Sequence, residues 1–126
     1  MSSRLSRTAS VAFAALIVAS GCGGEDKQAK QQCLDEAYNA AEAAAVARMF
    51  DQGKLGSQQK VERELGVPGR PGSDYFDSTG HLIPYRDLPD RAHRIQFLTW
   101  MHNDSNVAEK TFDARQAARA NASPDC

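Results

Sequence analysis

After Val11–Ala19 the chain has no apolar run that approaches the roughly 20 residues a membrane-spanning helix needs, so the rest of it is expected to lie outside a bilayer. It also has no basic cluster. Its 15 Lys and Arg are scattered among 16 Asp and Glu, which argues against nucleic acid as a partner. No CxxC, HxxxH or HExxH spacing occurs, so no metal site is expected. No GxSxG and no phosphate-cradling glycine loop occurs, so neither a serine-hydrolase elbow nor a nucleotide cofactor is expected. Internal repeats are absent, and low complexity is confined to one alanine-rich stretch. The histidines number three. His81 belongs to a turn, while His93 and His102 fall on different sides of one predicted helix, so all three are expected to be structural.

What is present begins with an address. Arg4 and Arg7 make a positive leading region with no acidic residue before Glu25. The apolar stretch Val11–Ala19 follows, of signal-core length, and small residues close it: Ala19, Ser20, Gly21, then Cys22. This N-terminal stretch, about a fifth of the chain, resembles the lipobox-ending signal peptide of bacterial lipoproteins, with Ala19 where that family favours leucine. The resemblance implies cleavage before Cys22, a thioether-linked diacylglycerol on its sulfur, and further acylation of the freed amine. Residues 1–21 are then a signal peptide, 22–26 a short lipidated tether, and 27–126 a single small domain in the cell envelope. Gly23 stands where an aspartate would resemble an inner-membrane retention signal, so the outer membrane, facing the periplasm, is expected if the host has two. The alternative is ordinary signal-peptidase cleavage at Ala19-Ser20-Gly21, which would release an unlipidated protein. The difference is physical, because two or three acyl chains anchor stably at about 0.8 kcal/mol per buried methylene.

Cleavage leaves 105 residues carrying 13 basic and 16 acidic side chains, enough for one modest hydrophobic core. Three cysteines are odd for an exported chain, and lipidation of Cys22 resolves the count by leaving Cys33 and Cys126 as a pair in an oxidising compartment. Their bridge would set the last residue beside the first helix. Two free thiols, or bonds to other chains, are the alternative.

From Lys27 to Asp51 the residues are strong helix formers without proline or glycine, and Gly53 and Gly56 end the element. Leu34, Ala37, Ala41, Ala44, Ala45, Val46 and Met49 are expected on its packed side. Ser57 caps a short helix to Leu65 with Val61 and Leu65 at i, i+4. Glu62 and Glu64 stand at i, i+2 and do not face one another, which disfavours a shared acid–base site. Gly66–Gly72 is a loop. Asp77–Gly80 has turn chemistry, with Tyr75-Phe76 before it and Leu82-Ile83 after it as arms of a short hairpin. The run Tyr75-x-Asp77-x-x-Gly80 resembles the hairpin of phage-type lysozymes over six residues, but the sequence that follows in that family is absent and its catalysis is not carried over. Asp87 or Leu88 is expected to cap a helix reaching about His102, with Pro89 in its first turn. Its faces are Leu88, Ala92, Ile95 and Thr99 on one side, and His93, Phe97 and Trp100 on the other. Asp104 or Ser105 caps a last helix bearing Val107, Thr111, Ala114 and Ala118.

The expected fold is therefore mainly α, a small bundle of three to four helices with a short β-hairpin or extended loop inserted. The face His93–Phe97–Trp100 has two readings. Core is favoured, because so small a domain has few large apolar side chains to spare. The other reading is an open surface for a protein partner. The leading functional expectation is a membrane-anchored, non-enzymatic envelope lipoprotein that meets another protein near the membrane. The alternatives are a small envelope hydrolase using Asp77 or Glu64 with a histidine, and a purely structural envelope lipoprotein.

Overall fold

The computed structural model describes residues 2–126, with side chains from Asp26 onward. The expected signal peptide, the expected tether residues Gly23–Glu25 and the expected lipidation site Cys22 lie outside the residues whose side chains are described. Among the described residues there are four α-helices and no β-sheet: α1, Ser2–Asp51; α2, Gln58–Leu65; α3, Arg91–Asn103; and α4, Ser105–Asn121. Two single-turn 3₁₀ helices, Gly72–Tyr75 and Tyr85–Asp87, stand between α2 and α3. No described helix is long and apolar enough to cross a membrane. The chain divides into two compact units, Met1–Asp35 with Cys126, and Glu36–Asp125. In the first, Cys33 and Cys126 form the expected disulfide, with Cα atoms 6.1 Å apart. The Gln31 side-chain amide donates to Asp35 one turn on, at 2.9 Å.

In the second unit, local chemistry ends and starts each helix. α1 stops at Gly53, whose φ of 78° only glycine adopts without strain. There the Gly53 N–H donates to the Phe50 carbonyl at 2.9 Å and the Lys54 N–H to that of Met49 at 3.0 Å, pairing carbonyls the helix would leave orphaned. The Ser57 hydroxyl accepts from the Lys60 N–H at the start of α2, and Val61 and Leu65 are the buried pair of that helix. Pro68 and Gly69 form a tight turn closed by two backbone bonds between Val67 and Arg70, with the positive φ at Gly69. Gly72 then passes so close to the Glu62 carbonyl that no Cβ would fit.

The inserted segment is closer to an extended loop than to a hairpin with strands. One antiparallel bridge joins Phe76 to Leu82, flanked by backbone bonds from Asp77 to His81 and from Ile83 to Tyr75. The Asp77 carboxylate accepts from the Thr79 N–H, the Thr79 hydroxyl and the His81 N–H, so side-chain bonds take over the role of a longer ladder.

Three expectations need correction. The cap of α3 is Asp90, not Asp87 or Leu88: its carboxylate accepts from the His93 N–H at 2.8 Å, and Pro89 lies ahead of the helix. The buried side of α3 is His93, Phe97, Trp100 and Met101, while Ile95 is half exposed and Thr99 exposed, so the helix is apolar on two sides but covered on one. On α1 the inward residues are Glu42, Ala43, Ala45 and Val46, and Ala44 faces out. That rotation follows from Glu42, whose carboxylate is drawn into the interior by arginines of α4. Asp104 caps α4, accepting from the N–H groups of Asn106 and Val107. The core of this unit gathers Val46, Val61, Leu65, Tyr75, Met101 and Val107 at or near zero exposure, with Leu55, Phe97 and Trp100 beside them.

Candidate functional site

His93, Phe97 and Trp100 are 6%, 2% and 3% exposed, so the structure settles that face as core rather than as an open partner surface. The aromatic rings form a chain. Tyr75 lies 5.3 Å from the His93 ring and 6.3 Å from Phe97, and Phe97 meets Trp100 edge-on at 5.4 Å. The Trp100 indole N–H donates to Glu64 Oε1 at 3.0 Å, and Glu64 Oε2 pairs with Lys60 at 2.9 Å. Trp100 thus has its polar tip satisfied within the fold.

At the His93 end two acidic side chains converge from different segments. Asp90 Oδ1, at the α3 cap, lies 2.7 Å from Nδ1, and Asp74 Oδ2, in the first 3₁₀ helix, lies 3.1 Å from Nε2. Both ring nitrogens face carboxylates, so the doubly protonated imidazolium is the form that satisfies both contacts. The hydrogen bond to Asp90, with Asp74 assisting, raises the His93 pKa above its ordinary 6.5 despite burial. Asp90 is correspondingly held below the usual carboxylate value by its bonds to the His93 backbone and ring. Burial pushes the Tyr75 phenol up to about 12, and its hydroxyl is buried without a hydrogen-bond partner. Arg70 closes the arrangement from the preceding loop, its guanidinium donating to the Ala92 carbonyl at 3.2 Å.

The chemistry of this cluster is that of a strut. A general base needs a ring nitrogen with a free lone pair facing a substrate; His93 presents two N–H donors to two carboxylates instead. The carboxylates considered for hydrolysis are engaged as well. The Thr79 hydroxyl and the His81 backbone lower the Asp77 pKa, the opposite of what a general acid requires. Glu64 is bound by Lys60 and Trp100.

A second polar cluster joins α1 to α4. Glu42, 4% exposed, pairs through Oε1 with Arg115 at 3.2 Å and through Oε2 with Arg119 at 3.0 Å. Arg115, 5% exposed, also donates to the Thr111 hydroxyl and the Ala108 carbonyl, and Thr111 in turn donates to the Val107 carbonyl. Arg119 stacks over Tyr38 at 4.5 Å, and His102 stands 3.6 Å from Glu42 Oε1. The other histidine, His81, pairs with Asp51 at the surface, which raises its pKa.

Asp74, Asp90, Tyr75, Glu42 and Arg115 escaped the sequence reading as members of these clusters. The Asp90-x-x-His93 spacing was a usable signal, since a cap carboxylate and a residue three on meet in the first turn. Arg115 offered another: it continues the i, i+4 stripe of Val107 and Thr111, where a charge must find a buried partner. An open hollow of about 410 Å³ is lined by Gln59, Glu62, Arg63 and Ser73. Among the described residues no group of His, Cys, Asp and Glu is arranged to hold a metal ion. No family model matches the chain, and no curated protein or solved structure matches it either.

Proposed function

We propose that the chain is an envelope lipoprotein, anchored through lipid on Cys22, whose helical domain works by meeting another envelope protein close to the membrane. The observation that carries this reading is the Cys33–Cys126 bond. Structural disulfides belong to oxidising compartments. With two of three cysteines joined, the one left over is Cys22, at the end of the signal-like stretch. Further support comes from the interior, where His93, Glu64 and Glu42 each hold helices or loops together. That leaves the outer surface as the working part, with half-exposed Ile95 on α3 and Phe112 on α4 as its large apolar side chains.

Mass spectrometry of the protein from a membrane fraction tests the anchor. The expected product begins at Cys22 and carries the mass of a diacylglycerol thioether, and Cys22→Ala shifts the protein out of that fraction. A mature chain with an unmodified Cys22 thiol refutes it. Photo-crosslinking from positions 95 and 112 in intact envelopes tests the partner: a discrete protein adduct is expected, and adducts with lipid alone refute a protein partner.

A further inference from the structure

The Asp74–His93–Asp90 bridge joins two separate pieces of chain through one buried ring, and its two bonds are unequal. Asp90 is three residues from His93 in the same helical turn, at 2.7 Å, and its carboxylate also accepts the His93 backbone N–H. Asp74 comes from a different segment, at 3.1 Å, and its side chain is 44% exposed. A neutral imidazole has one N–H. On losing a proton it keeps the shorter bond to Asp90 and turns a lone pair toward the Asp74 carboxylate, so an attraction becomes a repulsion. Beside the bridge stand the neutral Tyr75 phenol, its ring 5.3 Å from the imidazole, and the Arg70 cation, near enough to act on both Tyr75 and Asp90. Neither is hydrogen-bonded to Asp74: Arg70 donates to the Ala92 carbonyl, and the Tyr75 hydroxyl has no partner.

We propose that this bridge is a proton-operated latch: the His93 imidazolium holds the 3₁₀ segment Gly72–Tyr75 against the start of α3, and removal of one proton releases that segment at Asp74. The latch is independent of how the protein is anchored. Its sign follows from linkage. A proton held more tightly when the segment is closed favours closure below the ordinary histidine range, and that advantage is lost as pH rises through the raised value. The backbone bonds that report closure are those of the Asp74 amide to Pro71 and of the Phe76 amide to Ser73.

The test uses the full chain in detergent micelles. Imidazole resonances of His81, His93 and His102 are titrated together from pH 5 to 9, and amide exchange at Asp74 and Phe76, corrected for intrinsic base catalysis, is followed over the same range. His93 is expected to titrate above 6.5, and protection of the two amides to fall about tenfold across its transition. In Asp74→Asn, at a side chain 44% exposed, the His93 midpoint is expected to drop and the protection to lose its pH dependence, because a neutral amide can meet Nε2 as acceptor or as donor. A His93 midpoint at or below 6.5, a midpoint unmoved by Asp74→Asn, or flat protection in the wild type overturns the latch.

Discussion

The Glu42 carboxylate is the group whose loss should be felt most. It is 4% exposed and, among the described residues, is the only acid paired with Arg115, itself 5% exposed. Glu42→Gln keeps the shape and one acceptor oxygen but removes the charge. Truncating one partner of a buried ion pair ordinarily costs about 3–5 kcal/mol, because the other charge stays buried without compensation. Here two features soften the loss. Arg115 retains neutral acceptors at Thr111 and Ala108, and Arg119, with 47% of its side chain exposed, can turn to water. The expected loss is therefore about 2–4 kcal/mol, against a total stability on the order of 5–15 kcal/mol. Urea unfolding measures it, with the single tryptophan as the probe, since Trp100 is buried when folded. The half-exposed partner is the control: Arg119→Gln forfeits a part-buried pair, whose carboxylate keeps Arg115, and a cation–π contact with Tyr38, together about 1 kcal/mol. If Glu42→Gln costs less than about 1 kcal/mol, or Arg119→Gln costs as much as Glu42→Gln, the buried pair does not hold α1 to α4 as reasoned.

The remaining expectations concern the disulfide, the backbone and pH. Cys33→Ser should lower the unfolding free energy by about 3–5 kcal/mol on the chain-entropy argument for partners 93 residues apart, and an unchanged urea midpoint would contradict it. Gly72→Ala forces a methyl onto the Glu62 backbone and should cost about 1–3 kcal/mol from overpacking; Gly69→Ala meets no atoms and should cost only the strain of a positive φ, about 1–2 kcal/mol. A reversed order in thermal melts would show the contact with Glu62 to be soft. Asp77 and Asp90 are lowered from 3.8, so their contribution is present above that value and is lost as pH falls through the folded values. His81 and His93 are raised from 6.5, so theirs is present below 6.5 and is lost as pH rises through the folded values. Stability by denaturant titration should therefore be greatest between about 3.8 and 6.5; a maximum above pH 8 would refute the assignment.

Helix boundaries were legible wherever a cap or stop is a local event. Ser57, Asp104 and Gly53 act within a few residues of themselves; the sequence places Ser57 and Gly53 and narrows the last cap to Asp104 or Ser105. The pairing of Cys33 with Cys126 was expected once the lipoprotein resemblance set Cys22 aside, with free thiols or bonds to other chains as the alternative, and the structure has the internal bond. The rotation of each helix about its axis was not. On α1 alanine occupies so many positions that the apolar pattern barely distinguishes one face from another, and the decision falls to Glu42, whose arginine partners lie more than 70 residues away. On α3, Ile95 is more apolar than His93, yet His93 is buried because Asp90 and Asp74 satisfy both its nitrogens. In each case a polar contact with another segment outweighed the local hydrophobic pattern, and the identity of the distant partner, Arg115 for Glu42 and Asp74 for His93, is not written in the residues around it.

A physical reason for burying charge in so small a core follows from that ambiguity. Ala43, Ala45 and Val46 give α1 a shallow apolar face. A rotation that exchanged this face for its neighbours would cost little in buried area, since alanine offers few methylenes to lose. It would strand Arg115 without a carboxylate, and that is expensive. The Glu42–Arg115 pair would then act mainly to fix which way α1 faces, and only secondarily to add stability. Replacing both partners with apolar residues of similar length, Glu42→Leu with Arg115→Met, separates the two roles. The double variant should recover much of the loss seen in Glu42→Gln, since neither buried charge is left unpaired. The amide resonances of residues 37–47 should nevertheless broaden or split as α1 samples more than one rotation. Sharp single resonances over that stretch, in a double variant as stable as the wild type, would show that apolar packing alone sets the register.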